Sequence, residues 1–392
     1  MTRLWSILAI GFAGWLVVPG TALHQLVHCR WSTALQATGF DKSSTRKGDS
    51  LKRKKNSSTI PSKSSSIPPS PDGGALPEDD FARFPPLSPD VQSTLVGVEK
   101  YGLPSGGRPI AEAPFPSEVL QQIREKHGFL DFDASADTFP GMRLLHADPV
   151  VLEIENFFTN EECDNYIAMS VDPDAPRTRK ARGNVKEKID DNLRPTVVGS
   201  ATINSQTQFQ QQRTSTTWFH HYAAVPELLA KASTLLGVKY LRHWEEPQTV
   251  RYRPGEKFSW HLDALPPMET GASKGGQRTA TILVYLTDLG EKSGGATAFR
   301  DLGPLRVRPR KGTALLFFPS YGGEPGCPFD VRTLHAGEVV ALGHNTKTKW
   351  IAQMWLHKKP YPASVPKGNS YEPAEERISN YIKTWQAGKS KE

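Results

Sequence analysis

The sequence predicts an α+β fold, an antiparallel β core braced by helices on one side. Three observations carry this. Helical periodicity is concentrated in 117–128, 159–169 and 226–236. Short apolar runs of strand type follow at 249–252, 279–286, 313–318, 338–341 and 349–356. Gly and Pro turns separate those runs at the spacing expected of a sandwich or barrel.

Taken in order, the chain begins Met1-Thr2-Arg3 and continues as an apolar run over residues 4–18, closed by Pro19-Gly20-Thr21-Ala22. A positive start, a short apolar stretch and small residues after it form a secretory signal. The run reaches the roughly 20 apolar residues of a membrane span only if it continues through Leu23. Residues 1–23 are therefore read as either a cleaved signal peptide or a signal-anchor, with single-pass association through residues 4–23 in the second case. Both readings send the chain to the endoplasmic reticulum or Golgi lumen.

Residues 24–90 are rich in Ser, Lys and Pro with almost no apolar periodicity, so they read as a flexible linker that buries too little surface to offset its ordering entropy. The triplet Asn56-Ser57-Ser58 is a glycosylation sequon suited to a lumenal linker. Residues 41–55 hold seven Lys or Arg against two Asp, leaving +2 of the chain's net +7 for everything else. The rest is nearly neutral, which argues against a nucleic-acid partner. The three cysteines, Cys29, Cys163 and Cys327, are too few for a disulfide framework, although Cys163 and Cys327 remain a candidate pair.

Residues 91–146 read as an extension packing on the core, with a helix that Ser117 caps and Gly128 ends. The main domain spans 147–360. It opens with the strand Val150–Ile154, and Thr159-Asn160-Glu161-Glu162 supplies a capping box for the next helix. The helix at 226–236 precedes the strand-type runs. Residues 361–392 form a tail with a short helix at 373–386.

The chemistry is carried by His261-Leu262-Asp263. Residues two apart on an extended backbone project to the same side, so an imidazole and a carboxylate converge on one ion. His335 lies 74 residues on and precedes another strand. It completes a two-His-one-carboxylate facial triad, an arrangement that leaves three positions on iron open. Fourteen residues later comes Lys349, a cation able to pair with the distal carboxylate of a keto-diacid that chelates the metal.

Over residues 149–358 the sequence resembles the prolyl 4-hydroxylases among the iron(II)- and 2-oxoglutarate-dependent dioxygenases. The resemblance runs through Ile154-Glu155-Asn156-Phe157-Phe158, Arg213-Thr214-Ser215 and Val250-Arg251-Tyr252-Arg253-Pro254-Gly255. It continues through His261-Leu262-Asp263, Arg278-Thr279-Ala280-Thr281, Gly294-Gly295-Ala296-Thr297, Leu334-His335-Ala336-Gly337 and Lys349-Trp350. It implies a double-stranded β-helix, or jelly roll, with iron(II) held by His261, Asp263 and His335. Tyr252, Thr281 and Lys349 would hold 2-oxoglutarate, and O2 and ascorbate are the further cofactors implied. The implied reaction hydroxylates peptidyl proline to 4-hydroxyproline in a Pro-rich polypeptide and yields succinate and CO2. The alternatives are an oxygenase acting on another peptide residue or a small molecule, and a catalytically silent module that binds Pro-rich peptides.

Two departures from the family stand out. Phe258 replaces a common Tyr, and Gly343-His344-Asn345-Thr346 is an insertion before the cation, which makes Lys347 the rival of Lys349. Gly294-Gly295 reads as a tight turn. Arg213, Trp244 and Trp355 line a peptide channel or merely pack. His220, His221, His243, His344 and His357 read as surface or structural residues. The intact Asp263 favours hydroxylation over halogenation.

Overall fold

Side-chain alternation along the strands sets the architecture. The computed structural model describes residues 84–171, 196–199, 213–266, 270–271, 275–321, 329–343, 346–362 and 371–389. Their strands are β1 (Met142–Ala147), β2 (Val150–Ile154), β3 (Thr196–Gly199), β4 (Thr216–Phe219), β5 (Gln248–Tyr252), β6 (Phe258–His261), β7 (Arg278–Tyr285), β8 (Thr297–Phe299), β9 (Arg306–Val307), β10 (Ala314–Phe317), β11 (His335–Gly337) and β12 (Lys349–His357). The helices are α1 (Pro89–Gln92), α2 (Ser117–Lys126), α3 (Asn160–Val171), α4 (Pro226–Leu236) and α5 (Tyr371–Lys389).

The major sheet runs β1-β2-β10-β7-β12-β5-β4-β3 and the minor sheet β6-β11-β8-β9, with every pairing antiparallel. From β5 to β12, successive strands switch between the two sheets, with β9 the exception, which is the winding of a double-stranded β-helix. Major-sheet strands are buried on both faces and therefore read as continuous apolar runs. In β7, Ala280, Ile282 and Val284 join the core under the helices, while Leu283 and Tyr285 join the core between the sheets. In β10, Ala314 and Leu316 divide from Leu315 and Phe317 in the same way. Leu228, Leu229, Ala232, Leu235 and Leu236 of α4 and Tyr166 and Met169 of α3 complete the helix-side core.

The capping box of α3 is present: Glu162 N–H donates to Thr159 Oγ1 at 3.1 Å, and Thr159 N–H donates to the Glu162 carboxylate at 2.8 Å. Several expectations are corrected. Pro116, without a side-chain bond, occupies the N-cap of α2, because Ser117 already has helical geometry; His127 rather than Gly128 closes the helix. Residues 338–341 form no strand: the chain leaves the minor sheet at Gly337, and Val340 makes only an isolated bridge to Gly294. Segment 142–146, assigned to the extension, is most of β1, an edge strand of the major sheet. Residues 84–90, assigned to the linker, are ordered against the minor sheet and begin α1.

No helix among the described residues is long and apolar enough to cross a membrane. Residues 1–23, the sequon and Cys327 lie outside the described residues, while Cys163 is a buried free thiol.

Candidate metal centre

His261 ends β6 and His335 begins β11, and the two are cross-strand partners in the minor sheet. Pairing sets their imidazoles side by side, with ring centroids 4.2 Å apart. Asp263 sits two residues beyond His261 and turns its carboxylate to the same point. Oδ1 lies 3.5 Å from His261 Nε2, and Oδ2 lies 3.7 Å from His335 Nε2. Among the described residues this is the one group of His, Cys, Asp and Glu whose donor atoms gather within 4.8 Å of one another.

The donors are prepared for a cation. Nδ1 of His261 bonds the Ser259 carbonyl at 2.8 Å, and Nδ1 of His335 bonds the Thr333 carbonyl at 3.0 Å. A carbonyl only accepts, so each Nδ1 carries the proton and each Nε2 presents a lone pair to the centre. Burial, and then the neighbouring His261, push His335 down to about 4, which keeps it neutral near pH 7. Burial acts to raise the Asp263 pKa, but His335, His261 and Arg278 together draw it well below the usual carboxylate range. Two imidazoles and one carboxylate suit a divalent first-row metal.

Residues from the major sheet support this group. Thr281 donates its hydroxyl to Asp263 Oδ2 at 2.8 Å. Arg278 Nη1 donates to the Asp263 carbonyl at 3.1 Å and lies over the Trp355 ring at 4.0 Å. The same guanidinium is gripped by Glu245, with Nη2–Oε2 at 2.8 Å, and His357 Nε2 meets Glu245 Oε1 at 2.7 Å. On the open side Phe258 stacks on His261, with centroids 3.6 Å apart, and Arg213 covers Phe258 at 4.9 Å while bonding Ser215 and Thr217.

Lys349 opens β12, is 1 % exposed and is the cross-strand partner of Tyr252. Its ammonium lies 5.1 Å from the Tyr252 ring and 5.8 Å from the Tyr285 ring, and the Tyr285 hydroxyl donates to Thr297 at 2.8 Å. Burial pulls the lysine down to about 7, Glu338 opposing. Lys347 is exposed, so its claim to the inward position fails. Gly294 and Gly295 have φ of 62° and 71°, and a Cβ on Gly294 would stand 2.2 Å from the Val339 carbonyl. The turn read from sequence is real and requires glycine.

Thr281 donates to Asp263 Oδ2, while Tyr252 and Lys349 are cross-strand partners and the Tyr285 ring also stands near the lysine. Trp244 is fully buried and donates to Ser233, and His220 and His357 are buried and bonded to Thr249 and Glu245. The roles of Glu245 and Arg278 escaped the sequence reading. No pattern marks them: Glu245 is followed by a second acid, Glu246, and Arg278 stands between Gln277 and Thr279.

Residues 247–357 match the family model of the 2OG-Fe(II) oxygenase superfamily. Over these residues the chain resembles the 2OG-Fe(II) oxygenases. It is 27 % identical over 284 residues to probable prolyl 4-hydroxylase 8 of Arabidopsis thaliana, covering 68 % of this chain and 88 % of the relative. A putative prolyl 4-hydroxylase of Acanthamoeba polyphaga mimivirus is 34 % identical over 122 residues, 30 % of this chain and 46 % of that one. Among solved structures, the viral collagen prolyl hydroxylase of Paramecium Bursaria Chlorella virus-1 in its 2OG complex aligns with a TM-score of 0.34 and 23 % identity, covering 53 % of this chain and 94 % of that chain. The matching relatives are named prolyl 4-hydroxylases, and the chain resembles a proline-hydroxylase-type oxidoreductase.

Proposed function

We propose that the oxygenase hydroxylates peptidyl proline in Pro-rich polypeptides, using iron(II), 2-oxoglutarate and O2, with ascorbate sustaining turnover. The observation that carries the reading is the convergence of His261 Nε2, His335 Nε2 and the Asp263 carboxylate beside a buried lysine. Iron(II) held by these three residues supplies the oxidising chemistry, coupling decarboxylation of 2-oxoglutarate to insertion of oxygen into a C–H bond.

The chain's residues have separable tasks. His261 and His335 offer fixed lone pairs, and Asp263 offers the charge. Thr281 and Arg278 hold Asp263 in register. Lys349 pairs with the distal carboxylate of 2-oxoglutarate, with Tyr252, Tyr285 and Thr297 lining the same recess. Phe258 and Arg213 shield the outer side of His261. The apolar core between the sheets excludes water around the keto-acid. The secretory reading of residues 1–23 supports lumenal or cell-surface substrates, reached by a membrane-anchored or signal-cleaved form.

The deciding experiment incubates the full chain with iron(II), 2-oxoglutarate, ascorbate and a Pro-rich peptide, measuring succinate and peptide mass. Peptide-dependent succinate with one added oxygen on proline is the expected result, abolished in His335→Ala. Oxygen on another residue would move the assignment to a different hydroxylase. Peptide binding with no succinate would reduce the domain to a recognition module.

A further inference from the structure

Backbone alternation that turns His261, Asp263 and His335 toward the centre turns their immediate neighbours away from it. Those neighbours, Trp260, Leu262, Ala264, Leu334 and Ala336, belong to two small apolar clusters separate from the main cores. Residues 84–91 close both. Phe84 packs with Leu262 against the first, and Leu87 and Val91 pack with Leu262 and Ala264 in the second.

The segment is also tied down by polar bonds. Arg300 follows Phe299, the partner of His335 in the minor sheet, and donates to the Phe84 carbonyl at 2.6 Å and the Pro85 carbonyl at 3.1 Å. Ser88 caps α1 by accepting from Val91 N–H at 3.4 Å, with Pro89 at its first position. Further along, Thr94 accepts from Arg332 Nη1 at 2.9 Å. Arg332 is fully buried, pairs with Asp330 and Asp148, and lies three residues before His335.

We infer that residues 84–94 are a strap that positions the metal ligands, holding the backs of the two turns that carry Asp263 and His335. The inference rests on the metal-centre reading above. Leu262 is the common element: one side chain between His261 and Asp263 is fixed by strap residues in both clusters. Phe84 and Leu87 are therefore positioning residues that act through Leu262 and Leu334 without touching the ion.

The test measures Co(II) and Mn(II) binding to the full chain by titration calorimetry. Wild-type binding that is lost in His335→Ala establishes the centre. No binding by the wild type would sink the metal reading itself, and the strap with it. Given binding, Phe84→Ala/Leu87→Ala and, separately, Arg300→Gln should weaken it on the order of tenfold, as loss of outer supports of metal ligands does. Far-ultraviolet circular dichroism should be unchanged. Leu228→Ala, in the helix-side core, is the control: it should lower the urea midpoint without moving metal affinity. Metal affinity equal to wild type in both strap variants, or an equal loss in Leu228→Ala, overturns the inference. Should the double variant fail to fold, Arg300→Gln decides alone.

Discussion

Lys349→Met separates the lysine's cost to the fold from its use to the site. The ammonium is buried against Tyr252 and Tyr285 and forms no ion pair among the described residues, and burial takes it from its ordinary 10.5 to about 7. A lysine whose pKa falls on folding binds fewer protons folded than unfolded. Stability therefore rises with pH between about 7 and 10.5, and the penalty is fully present below 7. At roughly 1.4 kcal/mol per unit, the penalty is about 4 kcal/mol at pH 7 and about 1 kcal/mol at pH 9.5. Methionine fills similar volume without a charge. The metal-free variant should be more stable than wild type by about 2–4 kcal/mol at pH 7 in urea unfolding, with the gap shrinking at pH 9.5. Its 2-oxoglutarate affinity, measured calorimetrically with Mn(II) present, should fall on the order of a hundredfold or more. A variant less stable than wild type at pH 7, or a gap independent of pH, would refute the buried-cation argument.

Four further outcomes are expected. A Cβ on Gly337 would stand 3.9 Å from Lys349 Nζ; Gly337→Val should block 2-oxoglutarate binding while leaving Mn(II) affinity within about twofold, whereas Gly337→Ala should bind both. Thr281→Val removes the hydroxyl bonded to Asp263 and should weaken Mn(II) binding about tenfold at unchanged 2-oxoglutarate affinity; the reverse pattern would assign that hydroxyl to the co-substrate. Burial pushes the Cys163 thiol up to about 12, so native protein at pH 8 should resist iodoacetamide at this residue, and intact-mass labelling before and after urea checks it. Tyr381→Phe removes the bond to Glu162 beside Lys231 and should lower the urea unfolding free energy by about 1 kcal/mol with turnover unchanged.

The long elements were legible because their pattern is local. The run at 279–286 announces β7 through burial on both faces, and 226–236 announces α4 through its period. The triad was legible because His-x-Asp needs only strand geometry; His335 was read as preceding a strand, and the structure makes it the first residue of β11. Short strands were not: β8 and β9 have three and two residues, too few for a period to declare itself. The same shortness misplaced a strand at 338–341. Thr281 was legible only in part. Its inward direction follows from alternation, but the choice between Asp263 and the co-substrate depends on how far β7 lies from the turn after β6, which only tertiary packing sets. Residues 84–90 look like linker because Phe84, Leu87 and Val91, although spaced i, i+3 and i+7, are separated by Pro85, Pro86 and Pro89, which break a helical reading. Their apolar partners lie about 170 to 250 residues away.

The electrostatics of the centre imply an order of fragility among its supports. Asp263 is buried, and its ionised state depends on the imidazoles and on Arg278. Arg278 is itself largely buried and is balanced by Glu245, whose carboxylate His357 also bonds. Charge thus alternates from the centre toward the edge of the site, each group offsetting the desolvation of the next. Removing Arg278 costs Asp263 one backbone bond and a favourable charge, yet Thr281 still holds the carboxylate. Removing Glu245 is worse, because the guanidinium then stays buried with its strongest partner gone and is drawn toward the nearest remaining anion, Asp263. An arginine pulled onto that carboxylate competes with the metal for the same oxygens. The residue farther from the iron site is accordingly the one whose loss most directly damages metal binding.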